Sequence, residues 1–172
     1  MKESFNSSYY EFNKQNKDRI GNIFYYNVIK SNFDFKSYLD YGCGLGFLLK
    51  RVEKDKKIKI ISGYDISKFA IHQSRKNTSR SVIYENIEDI KNKFDLISIL
   101  HIIEHIDDVE QLWTLLSSKM LRASLASGRI KTIVIDSITA IIRGEFGSSR
   151  RDLSDRSDAF FSFSARMKRY SS

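Results

Sequence analysis

Apolar residues follow two spacings along the chain, one typical of helices and one typical of strands. Residues 7–30 carry apolar positions at helical spacing, which predicts one or two helices there. Further helices are predicted from Phe47, over 68–77, over 109–126, near residue 137 and over 152–169. Short apolar and β-branched runs predict strands at 37–42, 57–65, 81–86, 94–100 and 130–136.

This alternation of strands and helices favours an α/β fold with a doubly wound, mostly parallel sheet of about five strands. Because parallel strands end at the same edge of a sheet, the turns after their carboxyl ends lie close together. Ligands of such sheets bind at that edge, where the strand order reverses. Candidate binding residues are therefore expected in the turns that follow the predicted strands.

Size and cysteine content limit the class of protein. The chain has 172 residues, enough for one domain, and 41% of them are apolar, as in globular proteins. No apolar run reaches the roughly 18 residues of a membrane span, so no membrane partner is expected. The single cysteine, Cys43, permits no internal disulfide, which favours a reducing, cytoplasmic location.

Charge and residue usage change along the chain. The net charge is +8, and residues 111–172 hold 11 Lys and Arg against 5 Asp and Glu. All nine asparagines lie at or before Asn92. A single fold does not require such a change in residue usage. The change therefore indicates two segments of different origin, joined near residues 100–110. The basic excess attracts polyanions such as nucleic acid, although a solvated basic surface explains it equally well.

Three glycines follow the first predicted strand in the stretch DYGCGLG, at Gly42, Gly44 and Gly46. A dinucleotide fingerprint, G-x-G-x-x-G, requires a glycine where Phe47 stands, and a P-loop requires G-K-[ST]. Neither pattern is present. Glycines let a backbone take positive φ and approach a bulky ligand closely. The alternative is a tight turn between strand and helix that binds nothing.

The pattern D-x-G-C-G-x-G after a strand resembles the first motif of Rossmann-like methyltransferases that use S-adenosylmethionine, and the resemblance covers residues 35–108. It implies that Asp65, at the end of the second strand, accepts the ribose hydroxyls of that cofactor. It also implies that Asn86 and Ile87 contact the adenine, although the family more often has Asp at the first of these positions. The implied cofactor-binding residues are Asp40, Gly42, Cys43, Gly44, Gly46, Asp65, Ile66, Asn86, Ile87, Leu100 and His101.

The stretch HIIEH, from His101 to His105, matches the H-x-x-E-H signature of certain zinc proteases. That signature needs a helix to bring both histidines to one face, whereas a predicted strand precedes it here. No metal site is therefore predicted. His101 and Glu104 are weak candidates for a general base that takes a proton from a methyl acceptor.

From residue 103 onward the chain resembles the RecA-type recombinases of eukaryotic DNA repair, through the stretch TIVIDSITAIIRGEF. The resemblance implies a Walker B strand, with Asp136 facing a magnesium ion. Since no phosphate-binding loop is present, no ATPase activity is expected. Under this alternative the chain is nuclear, and residues 109–172 bind single-stranded DNA or recombinase partners.

The two resemblances together predict a chimeric chain. Residues 1–108 form the cofactor-binding part, and residues 109–172 supply a helix, the fifth strand and C-terminal helices to the same sheet. The closing antiparallel hairpin usual in the methyltransferase fold is missing. The predicted function is methyl transfer from S-adenosylmethionine to an unidentified acceptor. The alternatives are a recombinase fragment that serves as a DNA-binding or assembly module, and an inert fusion of the two.

Overall fold

Helices and strands alternate along the chain in the computed structural model, which describes residues 5–12, 20–102 and 130–136. The chain divides into two units, Met1–Ser98 and Ile99–Ser172. The predicted helices over 109–126, near residue 137 and over 152–169 lie outside the described residues.

The elements within the described residues match the predicted order. The helices are α1 (Ser7–Phe12), α2 (Ile20–Asn32), α3 (Phe47–Val52) and α4 (Lys68–Asn77), with a 3₁₀ turn at Ile87–Asp89. The strands are β1 (Ser37–Tyr41), β2 (Ile60–Tyr64), β3 (Val82–Tyr84), β4 (Phe94–Leu100) and β5 (Ile130–Asp136). Ser67 begins α4, because its hydroxyl accepts a hydrogen bond from the Ala70 amide.

The strands are ordered β3-β2-β1-β4-β5 in a mostly parallel sheet. β1 and β2 run parallel, with Ser37 opposite Ile60, and β2 and β3 also run parallel. β1 and β4 are parallel as well, because hydrogen bonds join Ser37 to Asp95 and Asp40 to Ser98 at the same separation of 58 residues. The sheet therefore has the predicted doubly wound order. Within the first unit, the carboxyl ends of the parallel strands β1 and β2 lie side by side.

The central strands β1 and β4 are buried on both faces, and β4 is mostly apolar, as is typical of strands covered on both sides. Helix α3 contacts β2 and buries Leu48, Leu49 and Val52, and α2 packs on α3 and buries Ile29. The largest of the fully buried apolar side chains are Tyr38, Ile29, Leu39, Leu49, Leu96, Ile97, Ile99 and Val52.

β1 ends one residue before its predicted limit, and two other strands are shorter than their sequence pattern predicts for a shared reason. The strand predicted over 57–65 begins at Ile60, because the Asp55 carboxylate accepts a hydrogen bond from the Lys57 amide and holds residues 55–57 in a turn. The strand predicted over 81–86 covers only Val82–Tyr84. In both cases side-chain hydrogen bonds to the backbone compete with strand pairing.

Glu53, the residue after α3, holds the segment that leads into β3. Its carboxylate accepts hydrogen bonds from the amides of Ser79, Arg80 and Ser81, at 2.7–3.1 Å, and from both serine hydroxyls. The Arg80 guanidinium donates in return to the Glu53 carbonyl. Glu53 is only 7% exposed, so these donors replace the water that its carboxylate loses.

Glu53→Gln is expected to lower the free energy of unfolding at pH 7 by about 2 kcal/mol, because an amide cannot accept all of these bonds. Burial raises the pKa of Glu53, but the hydrogen bonds from Arg80, Ser81 and Ser79 outweigh it and leave the pKa below its usual 4.5. A lowered pKa in the folded state stabilises the protein above the unfolded-state pKa, and this stabilisation disappears as the pH falls through the folded-state pKa. Urea unfolding at pH 7 and under acid conditions measures both effects.

The control for this prediction is Glu85→Gln, which alters an exposed ion pair with Arg75. That change is expected to cost less than about 1 kcal/mol. Equal stability of wild type and Glu53→Gln at pH 7 would contradict the role assigned to Glu53.

Candidate functional site

The turn between β1 and α3 has the left-handed backbone that its glycines permit. Gly42, Gly44 and Gly46 have φ values of 80°, 52° and 78°. The amides of Gly42 and Cys43 both donate to the Tyr64 carbonyl, at 2.7 and 2.9 Å. These two bonds hold the turn against the carboxyl end of β2.

Asp65 follows β2 and faces this turn. One carboxylate oxygen accepts a hydrogen bond from the Gly44 amide at 2.8 Å, and the other accepts one from the Ser67 amide at 2.8 Å. The residue is 6% exposed. The structure therefore brings together Asp65 and the glycine turn, which the sequence analysis assigns to one candidate site.

The electrostatics of Asp65 are those of a buried carboxyl group. Burial raises the pKa of its carboxyl above the usual 3.8, and hydrogen bonds from the amides of Ser67, Gly44 and Ile66 act in the opposite direction. A carboxylate has about four acceptor positions, and the amides of Gly44 and Ser67 each occupy one of them at 2.8 Å.

Gly46 has a structural reason to be glycine. A Cβ at this position would lie 2.9 Å from Ser74 Cβ and 3.1 Å from Ser74 Cα, on α4. The close contact of α3 and α4 therefore requires it, together with its positive φ. From the other side, the Asn77 side chain donates to the Leu45 carbonyl at 2.9 Å and fixes the turn to the end of α4.

Asp40 and Cys43 are buried among protein atoms. The Ser98 hydroxyl donates to Asp40 at 2.7 Å and lies 2.6 Å from the Tyr38 hydroxyl, so Asp40 belongs to a polar chain between β1 and β4. Burial, followed by the charges of Asp40 and Asp65, holds the pKa of the Cys43 thiol well above its usual value. Both side chains therefore pack beneath the glycine turn. Their predicted contact with a cofactor stays a prediction.

The remaining predicted residues of the first unit follow parallel strands, so they lie at the same edge of the sheet. Ile66 is 46% exposed beside Asp65. Asn86 is exposed at the end of β3, and its amide nitrogen donates to Asp89 at 3.1 Å. Ile87 begins the 3₁₀ turn and is half-buried. The contact of Asn86 and Ile87 with an adenine, which the resemblance implies, stays a prediction.

Leu100 and His101 belong to the second unit. Leu100 ends β4 and is buried. His101 is exposed and has a φ of 55°, a backbone conformation that side chains other than glycine rarely adopt. Glu104 and His105 lie outside the described residues, and Asp136 is the last residue of β5.

Sequence reasoning missed the N-terminal segment, residues 5–12, as part of this site. The Ser67 hydroxyl donates to the Phe5 carbonyl at 2.6 Å, and the Tyr10 ring stacks on Phe69 with centroids 5.8 Å apart. The aromatic stretch SFNSSYYEF was the available signal, but helical spacing alone does not identify which part of the sheet such a segment contacts.

A cavity of about 600 Å³ lies away from this site, where the segments that precede β1 and β2 meet. Its walls include one acidic, one aromatic and four basic residues, namely Asp34, Phe35, Lys36, Lys56, Lys57 and Lys59. The glycine turn does not line it. Across residues 5–12, 20–102 and 130–136, no helix has the length and apolar character needed to cross a membrane.

Comparisons with known proteins agree with the architecture. The family model described as "Methyltransferase domain" matches residues 8–127. A Saccharomyces cerevisiae protein, "Ubiquinone biosynthesis O-methyltransferase, mitochondrial", is 26% identical over 132 residues, which cover 68% of this chain and 42% of the relative. The chain thus spans less than half the length of that relative.

Two solved structures have a similar fold. The methyltransferase domain of bacterial CtHen1-C superposes with a TM-score of 0.52 and 21% identity, covering 70% of this chain and 65% of that one. The sugar N-methyltransferase KedS8 from Streptoalloteichus sp ATCC 53650 gives a TM-score of 0.55 and 16% identity, covering 74% of this chain and 51% of that one.

The family match also bears on the predicted join. It continues past residue 108 to residue 127, so it includes the first part, residues 103–127, of the segment that resembles a recombinase. The comparisons give no support to the recombinase resemblance, to DNA repair or to a DNA partner.

Proposed function

Since this chain belongs to the methyltransferase domain family, whose model matches residues 8–127, we propose that it transfers a methyl group from S-adenosylmethionine to an acceptor molecule. The observation that carries the proposal is the position of Asp65. Its carboxylate is held against the glycine turn at the carboxyl edge of a parallel sheet, the edge at which such folds bind ligands.

The residues of the site suit the separate parts of this cofactor. Asp65 accepts the two ribose hydroxyls with the acceptor positions that Gly44 and Ser67 leave open. The turn over residues 42–46 presents backbone with few side chains, along which the methionyl part lies. Asn86 and Ile87 offer the adenine one polar and one apolar contact.

When bound, S-adenosylmethionine supplies a methyl group on a positively charged sulfur, which is electrophilic. The work of this chain is to hold that methyl group in line with the acceptor atom and to exclude water, since orientation alone accounts for a large part of such a rate enhancement. His101, exposed at the end of β4, stays the candidate base for an acceptor that must lose a proton.

The test is binding of S-adenosylhomocysteine, the product form of the cofactor, to the intact chain. Calorimetry is expected to give a dissociation constant in the micromolar range. Ligand at about 100 times that constant is expected to stabilise the fold by about 2.7 kcal/mol, seen as a rise in melting temperature. NAD and ATP are the controls, because the turn lacks the patterns that bind their phosphates. No heat and no stabilisation at millimolar ligand would refute the proposal.

A further inference from the structure

The N-terminal segment is attached to the same short connection that carries Asp65. The Ser67 hydroxyl donates to the Phe5 carbonyl at 2.6 Å, and the Tyr10 ring packs on Phe69 at the start of α4. Tyr10 is 5% exposed, whereas Phe12, two residues later, is 87% exposed. One face of the segment is therefore docked and the other is open to solvent.

The Tyr10 hydroxyl lies in the electrostatic field of the candidate ribose-binding acid. Burial raises the pKa of Tyr10, the negative charge of Asp65 raises it further, and a hydrogen bond with the Ser67 side chain acts in the opposite direction. The phenol is therefore neutral over the whole physiological pH range. The neutral Tyr10 hydroxyl can donate a hydrogen bond, and the Asp65 carboxylate can accept one. A polar ligand can use both groups.

Ser67 connects the segment to Asp65 through hydrogen bonds of its amide and its hydroxyl. Its amide donates to Asp65, its hydroxyl donates to the Phe5 carbonyl, and the same hydroxyl accepts from the Ala70 amide at the start of α4. A ligand that fixes the Asp65 carboxylate also fixes Ser67. Ser67 is therefore the residue through which ligand binding at Asp65 can affect the N-terminal segment.

We propose that the N-terminal segment forms one wall of the cofactor site, that Tyr10 is its positioning residue, and that docking of the segment and binding of the cofactor strengthen each other. The inference rests on the proposed function, because it takes Asp65 as the ribose-binding residue. Coupling of this kind is reciprocal: if the docked segment raises the affinity for the cofactor, the cofactor stabilises the docked segment by the same factor.

Hydrogen exchange of the wild-type chain, with and without saturating S-adenosylhomocysteine, tests the coupling. The amides of Tyr9 and Tyr10, which donate to Asn6, are expected to exchange at least about tenfold more slowly with ligand. Residues 54–59, at the lysine-lined cavity, are the internal control and should not change. If calorimetry shows binding but these two amides exchange at the same rate, the inference is refuted and the proposed function stands. If nothing binds, both are refuted.

Two alanine variants in the N-terminal segment distinguish a residue that contributes to the cofactor site from one that only supports the fold. Tyr10→Ala, which removes the docked ring, is expected to weaken S-adenosylhomocysteine binding at least about fivefold and to abolish the ligand-dependent slowing of exchange. Phe12→Ala, which removes an exposed ring, should bind within about twofold of wild type. Wild-type affinity in a folded Tyr10→Ala chain would overturn the inference, and the wild-type exchange experiment decides the question if that variant does not fold.

Discussion

Asp65→Ala is expected to weaken binding of S-adenosylhomocysteine at least about a hundredfold, because two ribose hydroxyls lose an ionised acceptor in a buried site. This loss of affinity is larger than the loss expected when any single neutral contact is removed. Because burial raises the pKa of this carboxyl, the wild-type affinity should also fall with decreasing pH, starting above the range in which an ordinary aspartate titrates. Calorimetric titrations of both chains over a pH series measure the two effects.

The matched control is Asp34→Ala, which removes an exposed aspartate from the lysine-lined cavity. It changes the net charge by the same amount and is expected to leave the affinity unchanged. Asp65 also holds Gly44 and Ser67, so the melting temperature of each variant has to be measured beside its affinity. A folded Asp65→Ala chain that binds as tightly as wild type would remove the basis of the proposed function.

Gly46→Ala is expected to lower the free energy of unfolding by about 3 kcal/mol. Part of this cost is the positive φ of 78°, which disfavours any residue with a Cβ by about 1 kcal/mol or more. The rest is the contact at 2.9 Å between the new methyl group and Ser74 Cβ, which requires α4 to move. Denaturant unfolding of the two chains gives the difference directly.

A second substitution separates these two costs. Ser74→Gly removes the atom that the new methyl group would meet, whereas Ser74→Ala removes the same hydroxyl and keeps that atom. Gly46→Ala should therefore cost less in the Ser74→Gly background than in the Ser74→Ala background. Equal costs in both backgrounds would show that the contact with Ser74 Cβ is not what requires glycine at this position.

The parts of the site that follow strand ends were predictable from the sequence. Asp65 was identified through the resemblance to the methyltransferases, and it lies beside the glycine turn because β1 and β2 are parallel and end side by side. The positive φ values of Gly42 and Gly44 follow from the same local geometry. The ligand roles of these residues stay predictions until binding is measured.

Other features depend on contacts between distant parts of the chain, which no local pattern encodes. Glu53 lies in the charged stretch VEKDKK and has the pattern of a solvated residue, but its acceptors are used by amides 26 to 28 residues later. The N-terminal segment reaches Ser67 across 62 residues. Gly46 is explained by Ser74 of another helix.

The burial of Cys43 has a practical consequence. It is the chain's single cysteine, the residue is 7% exposed, and burial keeps its thiol protonated. Only the thiolate reacts with alkylating reagents, and only where a reagent can reach it. The rate at which such a reagent modifies the native protein therefore measures how often the glycine turn around Cys43 opens. Cys43 is thus a built-in probe of local unfolding.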